Sequence, residues 1–173
     1  MFRKFLALVA AVSLTACAST PNPLTPDVRS GLFVQDVALN WNVDETKREQ
    51  SPAYVEGKQD LQTRLEAAVE QEFKNSPSGS QPVDFVVDIK NYSRVGAAMG
   101  NLIGGSNMVI ADVKVVRKSD GATLGVYENV TGMYASNHGI IGAIAQAVSK
   151  PDIVGIMANS FAATLRQRFD AKK

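Results

Sequence analysis

Hydrophobic residues recur along this chain with two periods, one of two residues and one near four. Phe33, Val37, Leu39, Trp41 and Val43 share one phase, with Asp36, Asn40 and Asn42 on the other. That alternation predicts a half-buried strand over about residues 32–43. Asp44 to Pro52 is charged and turn-like. Leu61, Leu65, Val69 and Phe73 then recur every four residues beside Ala68, while Glu66, Glu70, Gln71 and Lys74 lie off the stripe. The spacing predicts an amphipathic helix over about 58–74, closed by Asn75-Ser-Pro-Ser-Gly-Ser. Val83, Phe85, Val87 and Ile89 alternate with Asp84, Asp88 and Lys90. Val109, Ala111, Val113 and Val115 alternate with Asp112 and Lys114. Ser119-Asp120-Gly121 is a turn signal, and Leu124, Val126 and Val130 carry a further strand to about Tyr134. Ile153, Met157, Phe161, Leu165 and Phe169 mark a long closing helix with Pro151-Asp152 at its start. A weaker apolar segment, Ile140 to Val148, precedes it.

The order is strand, helix, strand, strand, strand, helix. Most strands have one polar face, so helices are expected to cover only the other. The predicted fold is α+β, a two-layer sandwich with a mixed sheet of about four strands under two helices. The first crossover is expected to be right-handed and parallel.

Two segments depart from the polar character of ordinary connections. Val95-Gly-Ala-Ala-Met-Gly-Asn-Leu-Ile-Gly-Gly105 is apolar and glycine-rich, with Gly96, Gly100 and Gly104 at every fourth residue. That spacing permits close helix packing. Gly139 to Val148 has a similar composition. Two readings stand for these segments: a partner-binding or membrane-touching surface, or a buried crossover whose glycines serve tight turns. The first makes Gly96, Met99, Gly100, Leu102, Ile103, Gly104, His138, Ile140 and Ile141 the candidate contact residues. The predicted topology gathers both segments and the Asp44–Pro52 loop at one end of the sheet, and brings the N-terminal chain in at the other. A surface built there would point away from whatever holds the N-terminus, which favours a protein partner.

The N-terminus changes the picture most. Arg3 and Lys4 precede the ten-residue apolar stretch Phe5 to Leu14, and Leu14-Thr15-Ala16 leads into Cys17, the chain's single cysteine. Charge, then apolar run, then small residues is the layout of a secretory signal, and the run is too short to span a bilayer. With one cysteine no intramolecular disulfide can form, and one cysteine with one histidine excludes the classical zinc ligand sets. No metal or cofactor is expected. Removing Arg3 and Lys4 leaves 16 basic residues of the 18 against 17 acidic ones, a net charge of −1. A near-neutral chain without basic blocks offers no electrostatic case for nucleic acid. Pro21, Pro23 and Pro26 favour extended chain from Ala18 to Asp27, reaching at most about 30 Å. This reads as a tether, with an ordered strand cap on the domain as the alternative. The expected division is 1–16 signal, 17–27 a tether beginning at Cys17, and 28–173 one α+β domain.

Chemistry is sparse. His138 has Ser136 and Asn137 beside it, which makes it the one candidate base for an envelope hydrolase. No nucleophile elbow, phosphate loop, dinucleotide fingerprint or paired-histidine helix accompanies it. Asp84 and Asp88 lie on one strand face, which a solvated sheet surface explains better than a carboxylate pair. The expectation is a protein that is not an enzyme.

Leu14-Thr15-Ala16-Cys17 resembles the lipobox of bacterial lipoproteins. The resemblance implies cleavage before Cys17, lipidation of its thiol and durable anchoring in a membrane. Ala18 in place of an aspartate implies the outer membrane, on its periplasmic face. With the glycine-rich stretch and the Asp112…Ser119-Asp120-Gly121-Ala-Thr-Leu124 hairpin, the chain resembles small bacterial envelope lipoproteins of uncharacterised function. More distantly, it is similar to the α/β domains of the curli-secretion lipoprotein and of lipoprotein activators of penicillin-binding proteins. Those relatives bind proteins, so the resemblance implies an envelope binding or assembly module with a protein partner. Self-assembly into a homo-oligomer through the glycine repeat is the structural alternative.

Overall fold

A computed structural model describes residues 21–47, 51–74, 79–94, 107–134 and 151–171. Its elements are α1 (Pro26–Ser30), β1 (Leu32–Trp41), a 3-10 turn (Glu45–Lys47), α2 (Pro52–Phe73), β2 (Gln81–Ser93), β3 (Asn107–Arg117), β4 (Thr123–Tyr134) and α3 (Ile153–Asp170). The strands form one sheet in the order β1-β2-β3-β4. β1 is parallel to β2, and the other neighbours are antiparallel. The expected two-layer α+β sandwich is the observed one, with α2 packed over β1, α3 over β3 and β4, and the two helices against each other.

The inward phase of each strand is buried: Val37 on β1, Val83 to Ile89 on β2, and Val109 to Val115 on β3. The aromatic centre joins both layers. Phe73 of α2 lies 4.9 Å from Phe85 and 5.4 Å from Phe169 of α3, each edge-on, and Tyr127 lies 6.1 Å from Phe169. Edge-on rings add attraction beyond the area they bury. On the outer face, Lys114 pairs with Asp88 at 2.8 Å and Lys90 with Asp112 at 2.7 Å, while Lys118 bridges Asp36 and Asp84. Asp84 and Asp88 are therefore neutralised members of a charged sheet face. The Lys114 ammonium holds the Asp88 carboxyl below its ordinary range.

Two departures from simple alternation shape the sheet. The β2–β3 register shifts between Ile89 and Asn91, so Tyr92 returns to the buried face after Ile89. The β3–β4 register shifts between Ala111 and Val113. There Asn129 takes a φ of 52°, and its N–H donates to Asp112 Oδ1 at 2.8 Å. Asparagine tolerates that left-handed backbone better than most residues. The slip places Tyr127 and Val130 on the core side. Further along β4, Gly132 allows α3 to approach closely. A Cβ there would stand 2.3 Å from the Met157 carbonyl oxygen.

α2 begins at Pro52, six residues before the helix expected from its stripe. Ser51 caps it, accepting from the Tyr54 N–H at 3.3 Å, and Pro52 stands where no helical N–H is needed. Asp152 caps α3 in the same way, accepting from the Gly155 N–H at 3.1 Å.

The proline segment behaves as part of the domain from Pro21 on. Leu24 is 2 % exposed and belongs to the core. Asn22 Nδ2 donates to the carbonyls of Arg168 (2.9 Å), Phe169 (3.0 Å) and Ala171 (3.2 Å) at the end of α3. Its Oδ1 accepts from the Leu24 N–H and the Tyr127 hydroxyl, both at 3.0 Å. Arg29, buried as well, donates to the Phe169 carbonyl from Nη1. The last carbonyls of a helix have no partner within it, and the negative end of the helix dipole favours a cation. Residues 21–27 pack on the domain as a bend leading into α1, not as a strand, while Cys17 and residues 18–20 of the expected tether lie outside the described residues. Asn22→Ala should lower unfolding free energy by about 2–4 kcal/mol, since several buried polar groups lose partners together. Asn22→Asp should cost at least as much, because it removes the donor and sets a negative charge against carbonyl oxygens. Denaturant unfolding of the two variants checks both the size and the order.

Candidate functional site

Every contact residue expected from the sequence (Gly96, Met99, Gly100, Leu102, Ile103, Gly104, His138, Ile140 and Ile141) lies outside the described residues. Their flanks do not. Asn107 is opposite Tyr134, Tyr92 is opposite Val109, and Trp41 is opposite Ile89. Both glycine-rich segments therefore leave the sheet at one end, with the end of β1. The N-terminal segment packs at the other end, where Pro23 and Leu24 lie against Gly125.

The strand-end cluster is built by β1, β2 and the first turns of α2. Trp41 meets Tyr92 edge-on at 5.6 Å, and Tyr54 meets Tyr92 at 5.2 Å. The Trp41 indole N–H donates to Glu45 Oε1 at 2.9 Å. The Lys58 ammonium stands 4.8 Å from the Trp41 ring centroid and pairs with the same carboxylate. A cation over an indole face is held by the ring quadrupole. The Lys58 hydrogen bond leads the effects that push the Glu45 carboxyl below its ordinary range.

Gly57 lets this cluster close. A Cβ at that position would lie 2.3 Å from the Tyr92 hydroxyl and 2.6 Å from Arg94 Cδ. Glycine is therefore required where helix and strand touch, although it weakens a helix interior. Burial pushes the Tyr92 phenol up to about 12, against the opposing pull of Arg94.

Exposed apolar side chains favour the same end. Val55 (52 %) projects from the first turn of α2, Ile156 (41 %) from the first turn of α3, and Met133 (47 %) from the end of β4. Val28 lies on the other side of the domain, in α1. Sequence periodicity does not single out the three distal residues, because a β-branched or long apolar residue reads as core until its neighbours are known. The cluster can stack on a partner and pair with its charges. Among the described residues, no group of histidine, cysteine, aspartate and glutamate side chains could hold a metal ion. No helix among them is long and apolar enough to cross a membrane.

No family model matches the chain, and no curated protein matches it by sequence. Solved structures similar to it include a PelC variant dodecamer from Paraburkholderia phytofirmans, at 10 % identity and a TM-score of 0.36, covering 76 % of this chain and 87 % of that one. A candidate lipoprotein from Caulobacter crescentus matches at 10 % identity and 0.36, over 83 % and 90 % of the two chains. A DUF330 protein from Xanthomonas campestris matches at 15 % and 0.37, over 79 % and 85 %.

The raised Tyr92 pKa has a definite sign. The fold favours the neutral phenol, so its stabilisation is complete below the ordinary value of 10.0 and is lost as pH rises towards about 12. Tyr92→Phe should therefore show a shallower fall in melting temperature across that interval than the unsubstituted chain. Part of the fall should remain, because the Tyr127 phenol is also raised to about 12 by burial. Thermal melts across the alkaline range check this, and parallel curves would refute the assignment.

Proposed function

We propose that this chain is a lipid-anchored, non-enzymatic binding or assembly module of the bacterial envelope. Cys17 carries the lipid and holds the protein on the periplasmic face of the outer membrane. The end of the sheet opposite the N-terminal segment engages an envelope protein. The observation that supports this reading is the exposure of Val55, Met133 and Ile156 at the same end of the domain as the Trp41–Lys58–Glu45 group and the flanks of both glycine-rich segments. Three large apolar side chains left exposed at one end, around the flanks of two apolar glycine-rich segments, are what a contact surface there would present. The N-terminal segment is fixed at the far end by Asn22 and Leu24, so a membrane held through Cys17 leaves this surface facing outward.

A photo-crosslinking residue placed at Val55 or Ile156 in living cells should give a discrete protein adduct. The same residue at Val28 should not. Cys17→Ser should release the chain from the membrane fraction. Equal adducts at Val28, or none at Val55 and Ile156, would refute the contact surface, and continued sedimentation of the Cys17→Ser chain would refute the anchor.

A further inference from the structure

The two edges of the sheet are finished differently. At β4, the Met133 N–H donates to Ser160 Oγ at 3.3 Å, and Arg168 donates to the Glu128 carbonyl at 2.6 Å. Pro23 and Leu24 lean on Gly125 of the same strand. Side chains of α3 thus meet two backbone groups of that edge strand, and the N-terminal segment lies against a third position. Among the described residues, β1 has no strand on its far side. The Asn42 N–H donates to Ile89 of β2, so by strand alternation the N–H and C=O groups of Val37, Leu39 and Trp41 face away from the sheet. β1 reads Leu-Phe-Val-Gln-Asp-Val-Ala-Leu-Asn-Trp and contains none of the lysines or prolines that usually blunt an edge. Its one irregularity, at Gln35, leaves Asp36 to Trp41 in regular register.

Beside this edge lies a groove of about 520 Å³ between β1 and α2, floored by Val34, Val37 and Phe73 and rimmed by Glu70, Gln71 and Lys74. We infer that the free edge of β1 pairs antiparallel with β1 of a second copy, across a two-fold axis through Ala38. The register is self-complementary. Val37 and Leu39 form hydrogen-bonded pairs with the other copy's Leu39 and Val37, exchanging about four backbone hydrogen bonds. Their side chains meet on the helix-covered face beside this groove, whose lining mixes apolar Val34, Val37 and Phe73 with polar Gln35, Glu70 and Lys74. On the outer face Asp36 stands opposite an asparagine, Asn40, whose amide has two donors and uses one on Asp88. No like charges oppose each other in this register. The contacts at Gly125, Glu128 and Met133 obstruct β4 as a partner edge and disfavour head-to-tail growth, so the pairing closes as a dimer with a continuous eight-stranded sheet. This inference rests on the strand edge and is independent of the distal contact surface.

Cysteine cross-linking of the full-length chain in detergent tests it. Directly opposed residues of a non-hydrogen-bonded pair are close enough for a disulfide. Ala38→Cys should give a linked dimer under mild oxidation, and a mixture of Asp36→Cys and Asn40→Cys chains should link to each other. The unsubstituted chain should give none, which controls for Cys17, and Thr131→Cys on β4 should give none either. Ala38→Lys places like charges opposite one another on an exposed position and should weaken self-association severalfold in sedimentation, with the circular dichroism unchanged. A folded Ala38→Cys chain that stays monomeric, equal linking at Thr131→Cys, or linking of Ala38→Cys in cells to a different protein would each overturn the proposal.

Discussion

The end of α3 sets the constraint on which the rest of the molecule depends. Its last carbonyls have no helical partners and lie against the core, where leaving them unmet is costly. The chain meets them from its other terminus, with the Asn22 amide on three carbonyls and the Arg29 guanidinium on the Phe169 carbonyl. The same asparagine holds the Tyr127 hydroxyl, so β4, α3 and the N-terminal segment are tied at one point. Phe169 then sits among Phe73, Phe85 and Tyr127, and the two helices close over one face of the sheet. The segment that leads towards Cys17 is thereby a structural part of the domain.

That arrangement gives the molecule two unlike ends. One carries the docked N-terminal segment. The other gathers the ends of β1, β2 and β4 with the starts of α2 and α3. The outer sheet face is the least available surface for an apolar partner, because its carboxylates and lysines already neutralise one another. Charge balance across that face agrees with the near-neutral chain, and leaves the distal end and the β1 edge as the surfaces with unmet chemistry.

Much of the fold was legible in the sequence because β2 from Val83 to Ile89 and β3 from Val109 to Val115 alternate cleanly and the α3 stripe is continuous from Ile153 to Phe169. The failures have local physical causes. The first turns of α2 escaped notice because one of the buried positions there is Gly57, which carries no apolar side chain to mark the stripe and is needed for contact with Tyr92. Tyr92 and Tyr127 fall off the simple alternation because register shifts move them to the core side. The role of Asn22 was invisible because its α3 partners lie 146 residues or more away and Tyr127 lies 105 away, while its immediate neighbours are prolines that suggest free chain. The candidate site was legible only as a location. Topology placed both glycine-rich segments at one end, but the Trp41–Lys58–Glu45 group joins residues whose types alone suggest a strand end, a helix surface and a turn.

The most direct test of this account is amide hydrogen exchange over Leu165 to Asp170, compared between a chain beginning at residue 18 and one beginning at residue 28. If residues 21–27 hold the end of α3, the shorter chain should lose protection there first, while the centre of β2 and β3 stays protected. Equal protection of the last turn in both chains would contradict the account and return the proline segment to the status of a tether.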